Sequence, residues 1–175
     1  RSSLHLNPST LTFNGPVRKI VELDSSYLLV SRSGIFELEV YNRSDSTTFN
    51  ITPISQETRY RDAVLDTANN VVWIGSRDGL YRYKDGQIDL QGGNDSGIVA
   101  RIQTLALDKD GTLWMGTEDG LVHQREDALI KYGAEEGLSN TLINNLFFDK
   151  EGILWIGTYG GGTNVFLGEY VVNYD

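Results

Sequence analysis

The chain of 175 residues is 39% hydrophobic and 22% charged, the composition of a folded domain rather than of a disordered or fibrous segment. Its net charge of −9 is spread along the sequence with no Lys/Arg block, so a phosphate backbone would find few cations to release its counterions, and nucleic acid is not an expected partner. The absence of cysteine removes disulfides and thiolate metal sites from consideration without fixing a compartment.

Nineteen glycines, nine tyrosines and three prolines punctuate short apolar runs with Gly/Asp/Asn turns, which favours many tight hairpins over long helices. No apolar run approaches the roughly 18 residues of a membrane-spanning helix. The opening Arg1-Ser2-Ser3 has no signal-peptide architecture. A soluble piece of a longer chain, without its native ends, is the expectation.

In chain order, Ser3 to Leu6 and Leu11 to Phe13 flank a turn at 7–10 and read as the last two strands of a preceding unit, residues 1–14. A repeat then begins. Its first copy, over 15–55, is degenerate: Asp24-Ser25-Ser26-Tyr27-Leu28-Leu29-Val30-Ser31-Arg32-Ser33-Gly34-Ile35 keeps only the Ser-Arg-X-Gly-apolar ending. The units 56–96, 97–136 and 137–175 carry the motif clearly, as Asp66 to Tyr81 (DTANNVVWIGSRDGLY), Asp108 to Val122 (DKDGTLWMGTEDGLV) and Asp149 to Gly162 (DKEGILWIGTYGGG). Trp73, Trp114 and Trp155 are 41 and 41 residues apart, and Leu28 stands in the tryptophan position 45 residues before Trp73. Within one period, strands are expected at Ile102 to Leu107, Leu113 to Thr117, Leu121 to Gln124 and near Ala128 to Tyr132, joined by turns at 109–111 and 118–119.

Four strands of about five residues with loops of about five make roughly 40 residues, the size of one four-stranded propeller blade. The fold class that follows is all-β: a β-propeller fragment of four four-stranded blades plus a partial preceding blade. Blades covered on both faces account for strands such as Leu113-Trp114-Met115 that are apolar without alternation. Gly75, Gly116 and Gly157 then mark crowded points on the second strand, and the tryptophans fill the space between blades. An open run of such units leaves the flanks of its first and last blades apolar, so self-association, or packing on further blades, is expected.

The pattern Leu-Trp-Ile-Gly-Thr, preceded by Asp-X-X-Gly and followed by X-Gly-Gly, resembles the two-component regulator propeller repeat. The segment from Gly137 to Asn164 (GLSNTLINNLFFDKEGILWIGTYGGGTN) is its fullest copy. Copies two and three have single glycines at Gly79 and Gly120, with Ser76 for Thr in the second, and the first copy has Val30 where the motif glycine belongs. The resemblance covers residues 17–175. It implies the extracytoplasmic or periplasmic sensor part of a bacterial signal-transduction protein whose output domain is a histidine kinase or diguanylate cyclase. It also implies a polar ligand, in some relatives an oligosaccharide.

Catalytic chemistry has little to build on. His5 and His123 lie in no ligand-spaced cluster, and the pairs Glu118-Asp119 and Glu135-Glu136 are adjacent loop residues, so neither a metal site nor a nucleophilic triad is expected. His123 reads as a half-exposed third-strand residue, in the position taken by Arg82 and Asn164 in other copies. The turns at 108–111 and 149–152 lack the spaced ligands of a calcium loop. No cofactor is expected, and the chain itself is expected not to be an enzyme.

A ligand face is nevertheless definable. Loops between strands two and three would present Arg32, Arg77, Glu118 and Tyr159, and loops between blades Arg59, Tyr60, Arg101 and Asn140, a set able to stack on and hydrogen-bond a polar small molecule or oligosaccharide. The leading function is a non-catalytic sensor that binds such a ligand or a protein partner there. The alternative is a protein-interaction scaffold without a small ligand.

Overall fold

The computed structural model describes residues 16–42, 44, 47–56, 59–92, 101–125 and 128–174; the strands expected within 1–14 lie outside the described residues. The described residues form strands, turns and loops, with no helix. Four antiparallel sheets of four strands follow one another, each in meander order. The first contains β1 (Val17–Glu22), β2 (Ser26–Ser31), β3 (Gly34–Asn42) and β4 (Thr47–Ser55), and the second β5 (Tyr60–Asp66), β6 (Val71–Ser76), β7 (Leu80–Lys84) and β8 (Gln87–Gly92). The third contains β9 (Ile102–Leu107), β10 (Leu113–Thr117), β11 (Gly120–Arg125) and β12 (Ala128–Tyr132), and the fourth β13 (Ile143–Phe148), β14 (Leu154–Thr158), β15 (Thr163–Phe166) and β16 (Val171–Tyr174). These are propeller blades in strand number, order and length.

The chain divides into two compact units, residues 1–60 and 61–175. In the first, Leu28 and Val30 are both fully buried. An aliphatic pair thus replaces the tryptophan and glycine of the other copies, a swap that roughly conserves volume.

In the second unit, β9 stands against β6 on one side and β13 on the other. One apolar cluster, between the second and third sheets, joins Leu80 to Ile102, Leu105, Leu113, Met115 and Val122, with Trp73 packed on it. The other, between the third and fourth sheets, joins Trp114 to Ile143, Leu146, Leu154 and Ile156, with Phe148 and Phe166 packed on it. Met115 and Trp114 are neighbours on one strand and point to opposite faces, so β10 is buried on both sides. That is why its sequence shows no polar alternation.

Two features of the second strand set the spacing between sheets. At Gly116 a Cβ would stand 2.5 Å from Ile143 Cγ2, and at Gly75 the same distance from Ile102 Cγ2, so each glycine is the point where a neighbouring first strand touches backbone. Two residues earlier, Trp114 fills a wider gap. It stacks on His123 with ring centroids 3.7 Å apart and meets Phe166 edge-on at 4.9 Å.

The buried indole needs an acceptor, and the motif aspartate supplies it. Trp114 Nε1 donates to Asp108 Oδ2 at 3.3 Å and Trp155 Nε1 to Asp149 Oδ2 at 2.8 Å. The other oxygen of each aspartate accepts from its own turn: Asp108 Oδ1 from the N–H of Asp110 and Thr112, and Asp149 Oδ1 from Glu151 and Ile153. Asp66 lies one residue farther from its tryptophan, and there the Asn69 side-chain amide donates to Oδ2 at 2.8 Å instead. The Asp-X-X-Gly segment is thus a carboxylate-locked turn that also orients the tryptophan.

Trp114→Ala is expected to cost about 3–5 kcal/mol, as aromatic truncations in cores do, whereas Lys109→Ala in the exposed turn beside it should stay within about 0.5 kcal/mol. Urea midpoints measure both, and equal midpoints would contradict the packing role of the indole. A pH effect follows from Asp149, whose carboxyl is held below the usual range chiefly by the Trp155 indole bond and then by the N–H groups of its turn. A depressed carboxylate adds stability above its unfolded pKa and loses it as pH falls through the folded one. The stability difference between wild type and Asp149→Asn should therefore be largest above about pH 5 and close as pH drops below about 4, the unfolded aspartate range. Urea unfolding across that range tests it; a difference independent of pH would refute the role of the charge.

Candidate functional site

In an antiparallel meander, the loop between strands two and three lies at the same strand ends as the connection leading into the next sheet. Here the two loop sets are joined by backbone hydrogen bonds. In the first unit Arg59 N–H donates to Arg32 O at 3.2 Å; in the second, Arg101 N–H donates to Arg77 O at 3.0 Å, Gly120 N–H to Thr141 O at 2.8 Å and Tyr159 N–H to Leu142 O at 2.9 Å. Arg59 and Arg101 make these bonds with φ of 91° and 71°, a left-handed backbone uncommon outside glycine.

Each strand-two-to-three turn is locked from beneath. Ser31, Ser76, Thr117 and Thr158 end their strands, and their hydroxyls donate to the carbonyls of Gly34, Gly79, Gly120 and Gly162 at 2.9, 3.0, 2.7 and 3.1 Å. In the first three, the hydroxyl oxygen also accepts the N–H of the residue two positions on. This is the local side-chain-to-backbone pattern that Ser and Thr supply, and it explains why the motif needs a hydroxyl after its glycine. Gly120 has φ 109°, and a Cβ there would lie 2.5 Å from Tyr132 O, so no other residue fits the turn.

The residues expected to form the face fare differently. Arg32 and Arg59 are exposed in the first unit. Tyr60 is a correction: it is the buried first residue of β5, 1% exposed, and its hydroxyl lies 3.0 Å from Ser55 Oγ. It sits where Ile102 and Ile143 begin their sheets, a core position, and does not present its ring to a ligand. In the second unit Arg101 Nη1 donates to Glu118 Oε2 at 2.8 Å, which brings these two together. That bond first, then the charges of Arg101, Arg77 and Arg61, hold the Glu118 carboxyl below the usual range, against partial desolvation. Asn140 and Tyr159 also meet: Asn140 Nδ2 donates to Tyr159 O at 3.0 Å and Oδ1 accepts from Leu142 N–H at 2.8 Å. The Asn140 amide therefore shapes its loop, while the Tyr159 ring, 70% exposed, stands clear.

Two members of the face, Gln103 and Arg61, are not among the expected residues. Ile102 pairs with Thr117 and Thr104 with Gly116, which leaves Gln103 as the extra residue of a β-bulge; the pairing of Ile143 with Thr158 and Asn145 with Gly157 repeats it at Asn144. A bulge re-aims the side chain it carries. Gln103 Nε2 accordingly reaches Glu118 Oε1 at 2.9 Å. Arg61 holds the same place in β5. The signal available in the sequence was a polar residue directly after the apolar start of each first strand: Arg61, Gln103, Asn144.

A second correction concerns the third strand. Trp114 faces His123 and Trp73 faces Arg82, but Trp155 faces Val165; Asn164 lies one position away, opposite Ile156, and is fully buried. It accepts from Ser139 N–H at 3.0 Å and donates to Ser139 Oγ at 2.9 Å, bracing the loop. The His123 imidazole is pushed below its usual pKa chiefly by burial beside Trp114, with Asp108 opposing and Arg125 adding to the effect. Among the described residues no three His, Asp or Glu side chains gather as for a metal ion.

The opposite strand ends are splayed. A cleft of about 260 Å³ lies between Trp73 and the Leu113 and Gln124 side chains, and one of about 230 Å³ between Trp114 and the Phe148 and Phe166 rings.

Residues 96–119 and 137–160 match the family model described as the two component regulator propeller. Two segments of the chain therefore match the repeat of this family. The extracellular domain of a protein described as a hybrid two component system from B. thetaiotaomicron is similar in structure, with a TM-score of 0.73 and 22% identity over 91% of this chain and 23% of that one. Another such extracellular domain from that organism gives 0.68 at 24% identity over 94% of this chain and 22% of that one. The WD40 β-propeller domain of Doa1 gives 0.68 at 13% identity, over 91% and 54%. The chain thus spans about a quarter of the length of the two bacterial domains. No curated protein sequence matches it. Among the described residues no helix is long and apolar enough to cross a membrane.

The hydroxyl lock of these regulator propeller repeats is testable at Thr117. Thr117→Val keeps the shape but leaves the Gly120 carbonyl and Asp119 N–H without that partner, and should cost about 1–3 kcal/mol, the penalty for stranding a buried polar group. A urea midpoint unchanged from wild type, with Asp119 amide exchange also unchanged, would show that the turn stands without the hydroxyl.

Proposed function

We propose that the chain is part of an extracytoplasmic sensor propeller of a bacterial signalling protein and that it binds a polar ligand, foremost an oligosaccharide, on the face built by the 77–79, 118–120, 139–142 and 159–162 loops. The match to regulator propeller repeats carries this reading. It is supported by the composition of the face, where guanidinium, carboxylate, amide and phenol groups stand on turns locked by buried hydroxyls, the rigid support that recognition requires. It is supported too by the extracellular placement of the two bacterial relatives. The matched family model is that of a structural repeat, and the reading assigns the chain no catalytic step.

One observation favours a second reading, a scaffold that binds protein. Phe147, Trp155, Val165 and Val172 are paired across the fourth sheet and share its outer face, the face that in the second and third sheets is covered by the next one. Phe147 is 59% exposed and Tyr174, two residues from Val172 on the same side, 63%. An apolar sheet face of this kind fits another sheet of the same repeat or a second copy of the chain.

Hydrogen exchange separates the two readings. With a panel of neutral and acidic oligosaccharides, the sensor reading expects saturable protection of amides at 77–79, 118–120 and 139–142. Protection confined to the turns at 108–111 and 149–152 would overturn the placement of the ligand. Protection of β13 and β16 that grows with protein concentration, with no effect of any sugar, would replace the sensor by the scaffold.

A further inference from the structure

The loop face where the second and third sheets meet carries an arrangement more specific than polarity. Arg61 on β5, Arg77 on the β6–β7 turn and Arg101 before β9 all act electrostatically on the one carboxylate of Glu118, and Arg101 bonds it directly. The neighbouring acids Asp78 and Asp119 belong to the same turns and are exposed. In a chain of net charge −9, three guanidiniums are thus drawn close to a single loop carboxylate, with Asp78 and Asp119 directed to solvent at the turn tips.

The geometry shows how these cations are held. Arg101 is fixed at its backbone by the N–H bond to Arg77 O and by its left-handed φ of 71°. That conformation is costly for a side-chain-bearing residue and persists where surrounding structure imposes it. Its guanidinium is 56% exposed and donates once, from Nη1 to Glu118. A guanidinium has five N–H donors in a planar fork suited to two oxygens of one anion, so most of its donors face solvent. Glu118 is anchored from behind by Gln103, whose bulge aims the amide at the second oxygen. Arg77 contributes to the face through its backbone carbonyl and its charge.

We infer that this cluster is an anion subsite: Arg77 and Arg101, with Arg61 behind them, receive a carboxylate, sulfate or phosphate group of the ligand, and Glu118 is the resident carboxylate that holds the Arg101 guanidinium in place. The inference rests on the loop-face reading above and narrows it from polar ligands to acidic ones. A ligand anion meets Arg101 from the solvent side, opposite to Glu118, and adds bidentate bonds rather than replacing the existing one. Glu118 repels it, so its charge sets how tightly an anion is held.

The test uses the 175-residue chain and three probes, inorganic sulfate, inorganic phosphate and D-galacturonate, with D-galactose as the neutral counterpart. Amide chemical-shift titrations at low salt are expected to give saturable changes at residues 77–78, 101 and 118–119 with the anions and none with galactose. Arg101→Gln and Arg77→Gln, both at partly or fully exposed positions, should each weaken anion binding by about fivefold or more, the size of a lost charge-assisted contact, at an unchanged melting temperature. Glu118→Gln should strengthen it by about threefold, in keeping with removal of one like charge at a partly solvated site. Tighter binding of galacturonate than of the two inorganic ions would identify a sugar acid as the source of the anion, and the reverse order a sulfated or phosphorylated ligand. Anion shifts untouched by both arginine substitutions would overturn the inference. Galactose binding to the same amides as tightly as galacturonate would also overturn it, yet would leave the sensor reading standing.

Discussion

Everything in the three-sheet unit depends on the approach of Ile143 to Gly116 and of Ile102 to Gly75. At those points one sheet lies against the bare backbone of its neighbour, whereas two residues back along the same strand and on the same face, roughly 7 Å away, the gap is wide enough for an indole. Glycine and tryptophan therefore define a wedge. Its narrow end faces the loops that follow Thr117 and Ser76, and its wide end faces the carboxylate-locked turns. The wedge explains why loops from successive sheets meet closely enough at one end to share backbone hydrogen bonds, and why the other end opens into clefts beside Trp73 and Trp114. A residue larger than glycine would have to push the sheets apart where the loops converge.

The turns at both ends of the sheets draw partners for their polar groups from their own repeat. At the wide end one aspartate serves its turn with one oxygen and, in two sheets, the indole with the other. At the narrow end one hydroxyl donates within the next three or four residues and, in the first three sheets, also accepts there. Buried polar groups left unpaired would cost about 1–3 kcal/mol each, and placing the partners within one repeat makes each sheet independent of its neighbours in this respect. What crosses between sheets is then mostly apolar, with Asp62 as a pointed exception: its Oδ2 accepts from Thr104 Oγ1 at 3.0 Å and from Leu105 N–H at 2.9 Å, tying β5 to β9.

The repeat itself was legible because it is written in residues with few structural substitutes. A tryptophan followed two positions later by a glycine and then a hydroxyl, every 41 residues, specifies a strand, a wedge and a locked turn together. Position within the strands was harder to read where one residue is inserted or a ladder slips. The turn from Thr158 to Gly162 is one residue longer than that from Thr117 to Gly120, so counting from the tryptophan put Asn164 where Val165 belongs; an odd shift exchanges the two faces of a strand. Tyr60 looked like a loop aromatic because its neighbours Arg59 and Arg61 are polar, whereas its place in the period is that of Ile102. Gln103 and Arg61 were overlooked because a bulge is a property of two paired strands, and the polar residue after each first strand's apolar start takes on that meaning only once the pairing is known. The aspartate-to-indole bond was equally hidden, since the sequence shows the spacing of Asp108 and Trp114 but not that the turn folds the carboxylate back over the strand.

The hydrogen bond from Arg101 N–H to Arg77 O has a mechanical side. It links the tip of one sheet's turn to the residue at which the next sheet begins, and the bulge at Gln103 follows immediately. A turn tethered in this way has no slack: a displacement of Arg77 is handed to the first strand of the following sheet, which is packed on both faces and resists bending. Successive sheets joined through such tethers behave less like beads on a string than like the staves of a cask drawn together at one rim, where a load on one stave is borne by the next.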